Sequence, residues 1–207
     1  MTYPAAKSGG VPMYPIITIS REFGSGGHSI GQAVAKELGI PFYDSVIVEE
    51  AAKKSGYSTD TVVEDGEYTT LSQTWFSSNA AYNVNYLSPQ DKIFEAQRNV
   101  ILDLAEKGPC VIVGRCADYV LKDGFQTFNV FVHATDKFRC ERICEHDKLT
   151  EDEALSVIRQ KDKARRRHYK YYTERVWGDS VNYDLCINTA VSGIDLAAEI
   201  IAKLAKN

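Results

Sequence analysis

Five short and largely apolar runs recur along the chain, separated by longer segments with helical periodicity. The runs cover residues 16–19, 41–44, 110–113, 127–134 and 183–187. Apolar runs without regular polar alternation are typical of parallel strands, because helices cover both faces of such a sheet. Strands that alternate with helices therefore predict an α/β fold with a five-stranded, mainly parallel sheet.

Capping residues mark where several of the helices begin and end. Ser88, followed by Pro89 and Asp91, predicts a helix start with a capping box, and Gly108 predicts its end. Acidic residues after Thr150 suit the first turn of another helix, because the positive end of the helix dipole attracts them. Further helices are predicted over 30–38, over 46–55, from 135 or 136 onward, and over 196–204.

A glycine-rich turn, Gly24-Ser25-Gly26-Gly27, joins the first strand to the helix over 30–38. Glycines let several backbone N–H groups converge on one point, and the helix N-terminus adds its positive dipole. The turn is therefore predicted to bind phosphate. A tight turn that binds nothing is the alternative.

The turn lacks the lysine of the usual phosphate-loop pattern. Counted from the strand, Gly27 occupies the lysine position and Arg21 occupies the position of the first glycine. We predict that Arg21, or less readily His28, supplies the missing positive charge. Ser29 stands where a hydroxyl would face a magnesium ion.

Charged residues also follow two other predicted strands. In parallel α/β folds, ligands gather at the carboxyl ends of strands. Asp44 ends the second run and suits either a ligand contact or a helix N-cap. Arg115 follows Gly114 after the third run, where burial would require a partner: a bound phosphate, which we favour, or a structural ion pair. Arg98, in a predicted helix, suits a phosphate contact or simple exposure.

A basic stretch, residues 159–170, stands out in a chain with a net charge of −4. A solvated helix face is one explanation, and RNA binding through the interleaved tyrosines is another. We favour a third, a lid whose arginines Arg159, Arg165 and Arg166 close over a transferring phosphoryl group and stabilise its charge.

Composition narrows the class of protein. A chain of 207 residues suits one domain, and an acidic balance argues against a general nucleic-acid binder. Five cysteines without a CxxC pair indicate reduced thiols and a cytoplasmic location, and Cys140, Cys144 and His146 do not make a convincing metal site. No apolar run is long enough to span a membrane. Residues 1–15, rich in glycine and proline, are expected to form a disordered leader.

The motif Ser20-Arg21-Glu22-Phe23-Gly24-Ser25-Gly26-Gly27, with Phe42-Tyr43-Asp44 and Gly114-Arg115, resembles the cytidylate kinase-like family, relatives of the nucleoside monophosphate kinases with an altered loop. The resemblance runs from about residue 16 to about residue 201. It implies a P-loop kinase-type three-layer sandwich over 16–207, with helices on both faces of the sheet. It also implies an acceptor-binding insertion over 45–95 and a helical lid over 145–178.

The implied reaction transfers the ATP γ-phosphoryl group to a nucleoside monophosphate, CMP or dCMP, with Mg²⁺ as cofactor. The nucleotides are the expected partners, without nucleic acid or membrane, and a homo-oligomer is compatible with this. The implied catalytic residues are Arg21, Arg159, Arg165 and Arg166. The implied ATP contacts are Gly24, Ser25, Gly26, Gly27, His28, Ser29, Arg139, Arg142, Asn188 and Thr189, with Ser29 also facing magnesium. The implied acceptor contacts are Asp44, Arg98, Arg115 and Asp118.

One departure from the family pattern leaves the acceptor open. Cytidylate kinases carry Gly-Arg-Asp where this chain has Gly114-Arg115-Cys116, and Asp118 is the candidate substitute. Two alternatives therefore remain: an enzyme of the same fold with a different small-molecule acceptor, and a nucleotide-binding protein without phosphoryl transfer.

Overall fold

Five parallel strands form one sheet in the computed structural model, which describes residues 16–59 and 88–206. The strands are β1 (Ile16–Arg21), β2 (Phe42–Tyr43), β3 (Cys110–Val113), β4 (Thr127–His133) and β5 (Leu185–Asn188). Their order is β2-β3-β1-β4-β5, and every neighbouring pair is parallel. The predicted α/β fold with a five-stranded parallel sheet is confirmed.

Within the described residues, seven α-helices connect the strands or follow them. They are α1 (Gly27–Leu38), α2 (Ser45–Ser55), α3 (Pro89–Glu106), α4 (Ala117–Val120), α5 (Asp136–Asp147), α6 (Glu151–Thr173) and α7 (Thr189–Lys206), with a 3₁₀ turn over Ser180–Asn182. The predicted capping box at Ser88 is present, and Thr150 forms a second one at the start of α6. Thr135, rather than Asp136, caps α5, because its side chain accepts the Phe138 N–H.

The two faces of the sheet bury separate apolar clusters. On one face, β1, β3 and β4 pack against α1 and α7, around residues such as Ile19, Val130 and Ile201. On the other face, β1 and β3 pack against α3, around Ile112 and Ile101. Helices on both faces therefore fix the sheet, and its carboxyl edge stays open for the loops that follow the strands.

Several element boundaries differ from the sequence prediction, and two of the differences concern residues with predicted roles. β1 extends past residue 19 to Arg21, because Ser20 and Arg21 continue the pairing with β4. The last helix begins at Thr189 rather than at 196, with a non-helical residue, Gly193, inside it. Arg21 therefore belongs to a strand end held by the sheet and not to the glycine turn.

Some predicted features fall outside the described residues. The leader over 1–15 lies there, and so does most of the acceptor-binding insertion, since residues 60–87 are not described. The predicted lid, 145–178, corresponds to the end of α5 and all of α6. Among the helices of the described ranges, none is long and apolar enough to cross a membrane.

Candidate active site

The phosphate loop connects β1 to α1 at the carboxyl edge of the sheet. Gly24 and Gly26 adopt left-handed conformations, with φ of 80° and 90°, which glycine reaches without strain. The first N–H groups of α1, from Gly27 to Ser29, have no acceptor within the helix. They lie at the positive end of the helix dipole, so the loop can hold an anion against its backbone.

Ser25 and Thr189 support the loop from within the protein. The buried Ser25 hydroxyl donates to the carbonyl of Glu22 at 2.8 Å. The buried Thr189 hydroxyl donates to the carbonyl of Ser25, also at 2.8 Å. Both residues were predicted to contact ATP. Neither side chain is among the described residues that line the cavity above the loop, and each fixes the shape of the loop instead.

The side chain of Arg21 lies across two glycines. A Cβ built at Gly27 would stand 2.6 Å from the Cβ of Arg21. A Cβ built at Gly114 would overlap Nη1 of Arg21 and stand 2.9 Å from its Cζ. The stem of Arg21 therefore packs on the vacant lysine position, and its guanidinium rests on the turn after β3.

A small cavity of about 20 Å³, the arginine cavity, opens where the guanidinium of Arg21 lies. Its described lining includes Arg115 from the turn after β3 and Arg165 from α6. The remaining described lining is Ser20, Gly114, Cys116, His168, Tyr169 and Trp177. Three guanidinium groups at one small cavity favour a group with several negatively charged oxygens, such as a phosphate.

The turn that places Arg115 is strained. Gly114, Arg115 and Cys116 have successive positive φ values of 77°, 57° and 55°, and each non-glycine residue in this conformation costs about 1–2 kcal/mol. Strain of this kind gathers at functional sites, where the surrounding structure enforces it. Arg115 is 6% exposed. Cys116 packs in an apolar cluster with Phe94 and Tyr169.

Asp118 lies behind the arginine cavity and is not among its described lining residues. Its buried carboxylate accepts a hydrogen bond of 2.6 Å from the Tyr169 hydroxyl. Burial raises the pKa of Asp118, and the Tyr169 hydrogen bond offsets this only in part. Asp118 therefore positions Tyr169, whose ring lines the cavity, and its predicted contact with an acceptor would act through that ring.

The three arginines predicted in the lid have different surroundings. Arg165 is buried, and its Nη1 donates to the Arg21 carbonyl at 3.1 Å. Arg166 is exposed, with its guanidinium carbon 5.6 Å from the Trp177 ring. Arg159 is exposed and lines a separate groove between α5 and α6. The structure therefore brings only Arg165 together with Arg21.

A larger cavity of about 350 Å³, the loop cavity, lies above the phosphate loop. Arg142 of α5 lines it, with its guanidinium carbon 3.9 Å from a Cβ built at Gly26. The Nε of Arg142 is buried without a hydrogen-bond partner, and within the described residues Arg142 makes no ion pair. Arg21 and Arg165 line this cavity as well as the arginine cavity, so the two cavities share a wall.

Arg139, one turn before Arg142, forms its ion pairs within the protein. It is 5% exposed and pairs with Asp162 and Asp136 at 2.5 Å each, and with Glu22 at 3.6 Å. Burial alone would lower its pKa, but the hydrogen bonds that Arg139 donates to Asp162 and Asp136 raise it, so the guanidinium stays charged. Arg139 lines neither cavity among the described residues, although the sequence predicted an ATP contact.

His28, which lines the loop cavity, forms a pair with Asp44, which is not among the described lining residues. The Nδ1 of His28 lies 2.6 Å from Oδ2 of Asp44, and the imidazole meets Phe42 edge to face. Asp44 is the N-cap residue of α2 but makes no side-chain capping bond. Ser29, half-buried in the first turn of α1, lines the loop cavity.

Two further predicted residues stand apart from both cavities within the described parts of the chain. Arg98 is exposed on α3. Asn188 ends β5, and its side-chain oxygen accepts the Ala190 N–H at 3.0 Å. This placement agrees with the alternative given above, that Arg98 is simply an exposed helix residue.

Sequence reasoning missed the role of Gly27 and Gly114 as space for Arg21, and it missed the pairing of Arg139 with Asp162. The first had a signal, since an arginine at the glycine position and a glycine at the lysine position are reciprocal changes. The second had none, because these two residues lie on different helices.

A parallel sheet with a phosphate loop after β1 and arginines at the neighbouring strand end defines a nucleotide kinase-like α/β protein. The chain belongs to the cytidylate kinase-like family, whose model matches residues 16–191. It is 25% identical to a cytidylate kinase from Pyrococcus horikoshii, over 84% of this chain and 80% of that one. It is 24% identical to a cytidylate kinase from Pyrobaculum islandicum, over 89% of each chain.

Solved structures support the same fold. An uncharacterised protein from Eubacterium ventriosum is 30% identical and covers 93% of this chain and 98% of its own, with a TM-score of 0.70. A shikimate kinase from Bacteroides thetaiotaomicron covers 93% of this chain and 98% of its own at 16% identity, with a TM-score of 0.55. Family and fold together support a nucleotide kinase-like phosphotransferase.

Proposed function

We propose that this protein transfers the γ-phosphoryl group of ATP to a nucleoside monophosphate, CMP or dCMP. The observation that carries the proposal is the position of Arg21, which lines two adjoining cavities and lies on the vacant lysine position. One cavity would hold the donor phosphates and the other the acceptor phosphate. The cytidylate kinases among the relatives favour cytidine nucleotides as acceptors.

The loop cavity fits the donor. The N–H groups of Gly27 to Ser29 would bind the β-phosphate, and the buried Nε of Arg142 would find its missing acceptor in a nucleotide oxygen. Ser29 also fits a magnesium ion held mainly through the phosphates, because Mg²⁺ takes few protein oxygens and keeps several waters. Bound there, magnesium would neutralise charge on the phosphates.

We assign the arginine cavity to the phosphate of the acceptor because of its three guanidinium groups. Arg115 would anchor the acceptor phosphate, and an oxygen of that phosphate would attack the γ-phosphorus as the bond to the bridging oxygen breaks and ADP leaves. The attacking oxygen is already ionised near neutral pH, so the reaction needs positioning and charge stabilisation rather than a general base. Arg21 and Arg165, on the shared wall, would stabilise the charge in transit.

The test exchanges the two unusual loop residues. Gly27→Lys alone should lose about 100-fold in kcat, because the new side chain collides with Arg21. Arg21→Gly alone should lose about as much, because the positive charge is gone. The double variant restores one cation in the usual position and should recover to within about 10-fold of the wild type.

Each variant would be assayed by ADP formation with CMP, dCMP, UMP, AMP and GMP in turn. Turnover with CMP or dCMP, and its recovery in the double variant, would support the proposal. Full activity in Arg21→Gly would overturn the role of Arg21. ATP binding without turnover on any acceptor would favour a nucleotide-binding protein without phosphoryl transfer.

A second candidate is the same reaction with a different acceptor. Cys116 favours it, because the position where cytidylate kinases carry an aspartate here packs into an apolar cluster with Phe94 and Tyr169. The acceptor panel separates the two candidates. Turnover confined to an acceptor other than CMP and dCMP would replace the first candidate with the second.

The five cysteines are all free thiols. This agrees with the reducing, cytoplasmic location that we infer for an ATP-dependent reaction.

A further inference from the structure

The carboxylate of Asp162 bonds directly to the phosphate loop, although it lies on α6, 139 residues later in the chain. Its Oδ1 accepts the N–H of Phe23 at 2.8 Å. Its Oδ2 accepts a hydrogen bond from Nη1 of Arg139, and the same Nη1 donates to the carbonyl of Phe23 at 3.3 Å. Both backbone polar groups of Phe23 are therefore held by one buried ion pair.

Arg165, three residues after Asp162 and on the same side of α6, holds the loop at a second point. Its Nη1 donates to the carbonyl of Arg21 at 3.1 Å, and its guanidinium carbon lies 5.6 Å from the ring of Phe23. Two residues of one rigid helix thus fix the backbone at Arg21 and at Phe23. Arg21 lies between the sheet and this fixed segment, and its guanidinium lies over Gly114.

The Asp162–Arg139 ion pair, which ties the loop to α6, is buried. The side chain of Asp162 is 3% exposed, and that of Arg139 is 6% exposed. A buried ion pair adds little net stability, because removing both charges from water offsets their attraction. Its hydrogen bonds nevertheless impose one geometry, since a buried carboxylate that loses them is strongly destabilised. The pair therefore fixes geometry more than it adds stability.

Asp162 itself stands outside both cavities. Arg165 lines the arginine cavity and the loop cavity, whereas Asp162 is among the described lining of neither. A direct contact with nucleotide is therefore not what the geometry offers. Any effect of Asp162 on the reaction passes through the loop and Arg21.

We propose that Asp162 is a positioning residue that ties the phosphate loop to α6 and so holds Arg21 and Arg165 in register for phosphoryl transfer. The kinetic part of this proposal rests on the proposed function. The structural part is that Asp162 accepts the N–H of Phe23, and this part does not depend on the proposed function. A displacement of about 1 Å in a catalytic group can cost about 100-fold in rate.

The test compares Asp162→Asn with Asp136→Asn. Both changes remove one carboxylate from Arg139, but Asp136 is 68% exposed on its side chain and does not touch the loop. The first readout is amide hydrogen exchange of the peptide 20–27 in the protein without nucleotide. We expect about 10-fold faster exchange of this peptide in Asp162→Asn and no change in Asp136→Asn.

The second readout is steady-state kinetics, measured well below the unfolding temperature of each variant. We expect kcat to fall about 30-fold in Asp162→Asn, with the KM for ATP within about threefold of the wild type. A general loss of structure would instead change the KM and the fraction of active protein. Asp136→Asn should keep both constants within about threefold.

Asp162→Glu provides a variant with the charge restored. If Asp162→Asn does not fold, Asp162→Glu should fold and show exchange and kcat between the two extremes. Unchanged loop exchange in Asp162→Asn, or in Asp162→Glu where Asp162→Asn does not fold, would overturn the tether. Faster exchange with unchanged kcat would overturn the positioning role. If the wild type turns over no acceptor, the proposed function fails, and the exchange experiment still decides whether the tether exists.

Discussion

Two regions of this molecule bury arginine, and they do so in opposite ways. In the arginine cavity, Arg21, Arg115 and Arg165 converge on a space of about 20 Å³. At the junction of α5 and α6, a single arginine, Arg139, is surrounded by Asp162, Asp136 and Glu22. Positive charge accumulates in the first region, and carboxylates outnumber the arginine in the second.

The difference distinguishes a region that can bind an anion from a region that supports the fold. Three carboxylates already neutralise the charge of Arg139, so it does not need an anion from solution. Its charge therefore supports the fold. Three guanidinium groups that line one cavity favour an anion such as a phosphate. Burial alone does not distinguish the two, since Arg115 and Arg139 are 6% and 5% exposed.

The largest expected effect comes from disrupting the ion pairs around Arg139. Arg139→Met should lower the free energy of unfolding by about 3–5 kcal/mol, because Asp162 is left buried without its cation. Thermal or urea unfolding measures the loss. Asp136→Asn is the control and should change stability by less than about 1 kcal/mol, since the Asp136 carboxylate is largely exposed. Equal stability of Arg139→Met and the wild type would contradict the supporting role.

A substitution in the arginine cavity should change catalysis rather than stability. Arg21→Ala should lower kcat by about 100- to 1,000-fold, the usual effect of removing one transition-state donor. Its unfolding free energy should stay within about 1 kcal/mol of the wild type. Assays of ADP formation and urea unfolding on the same preparation provide both numbers. A large loss of stability with little loss of kcat would place Arg21 with Arg139 instead.

A smaller effect is expected from moving Arg21 without removing it. Gly114→Ala adds a methyl group where the guanidinium of Arg21 lies, at a φ of 77°. We expect kcat to fall about 10-fold or more. Gly56→Ala is the matched control, with a φ of 76° and no atom of the described residues within 4 Å of the added carbon. Both variants carry about 1–2 kcal/mol of backbone strain, so a difference in kcat between them isolates the contact with Arg21.

The comparison can also be sharpened within one helix. Arg142→Met removes the arginine that has no ion pair in the described residues and lines the loop cavity. We expect the KM for ATP to rise about 10-fold, since one charge-assisted hydrogen bond is lost. Stability should barely change, in contrast to Arg139→Met, one turn away. An unchanged KM would remove Arg142 from the donor site.

The smallest expected effect concerns Asp118, the buried carboxylate behind the arginine cavity. Its pKa is raised in the folded state, mainly by burial, so the folded protein binds this proton more tightly than the unfolded chain. Its unfavourable contribution therefore grows as the pH rises from the unfolded pKa through the folded pKa.

Asp118→Asn removes that titration. Relative to the wild type, the variant should gain stability over the range that begins at the unfolded pKa of an aspartate, about pH 4, and extends upward, as measured by the unfolding temperature at several pH values. Asp123→Asn serves as the control, because the Asp123 side chain is 88% exposed. A constant difference between Asp118→Asn and the wild type across this range would show that Asp118 titrates normally.

The sheet was predictable from the sequence because its signal is local. Each strand is a run of apolar residues with both faces buried, and the order of helices and strands follows directly from the chain. The end of β1 was not predictable, because Ser20 and Arg21 are polar and join the strand through pairing with β4. The phosphate loop was recognisable from its glycines, although its lysine is absent.

The roles of the individual arginines were not predictable, because they depend on distant partners. Arg139 and Arg142 lie three residues apart on α5 and look alike in the sequence. The partners that separate them, Asp162 and Glu22, come from α6 and from the loop after β1. Arg159, Arg165 and Arg166 share one basic stretch, yet only Arg165 faces Arg21, because the turn of the helix sends its neighbours to other surfaces.

The contact between Arg21 and Gly27 has a consequence for how such loops evolve. A lysine at position 27 and an arginine at position 21 exclude each other sterically, so neither loop type can change into the other by first gaining the second cation. A lineage would have to lose its cation before it acquires the new one, and the intermediate would bear two glycines and little activity. The two positions should therefore vary together among relatives, and the arginine-type loop should persist once it is established.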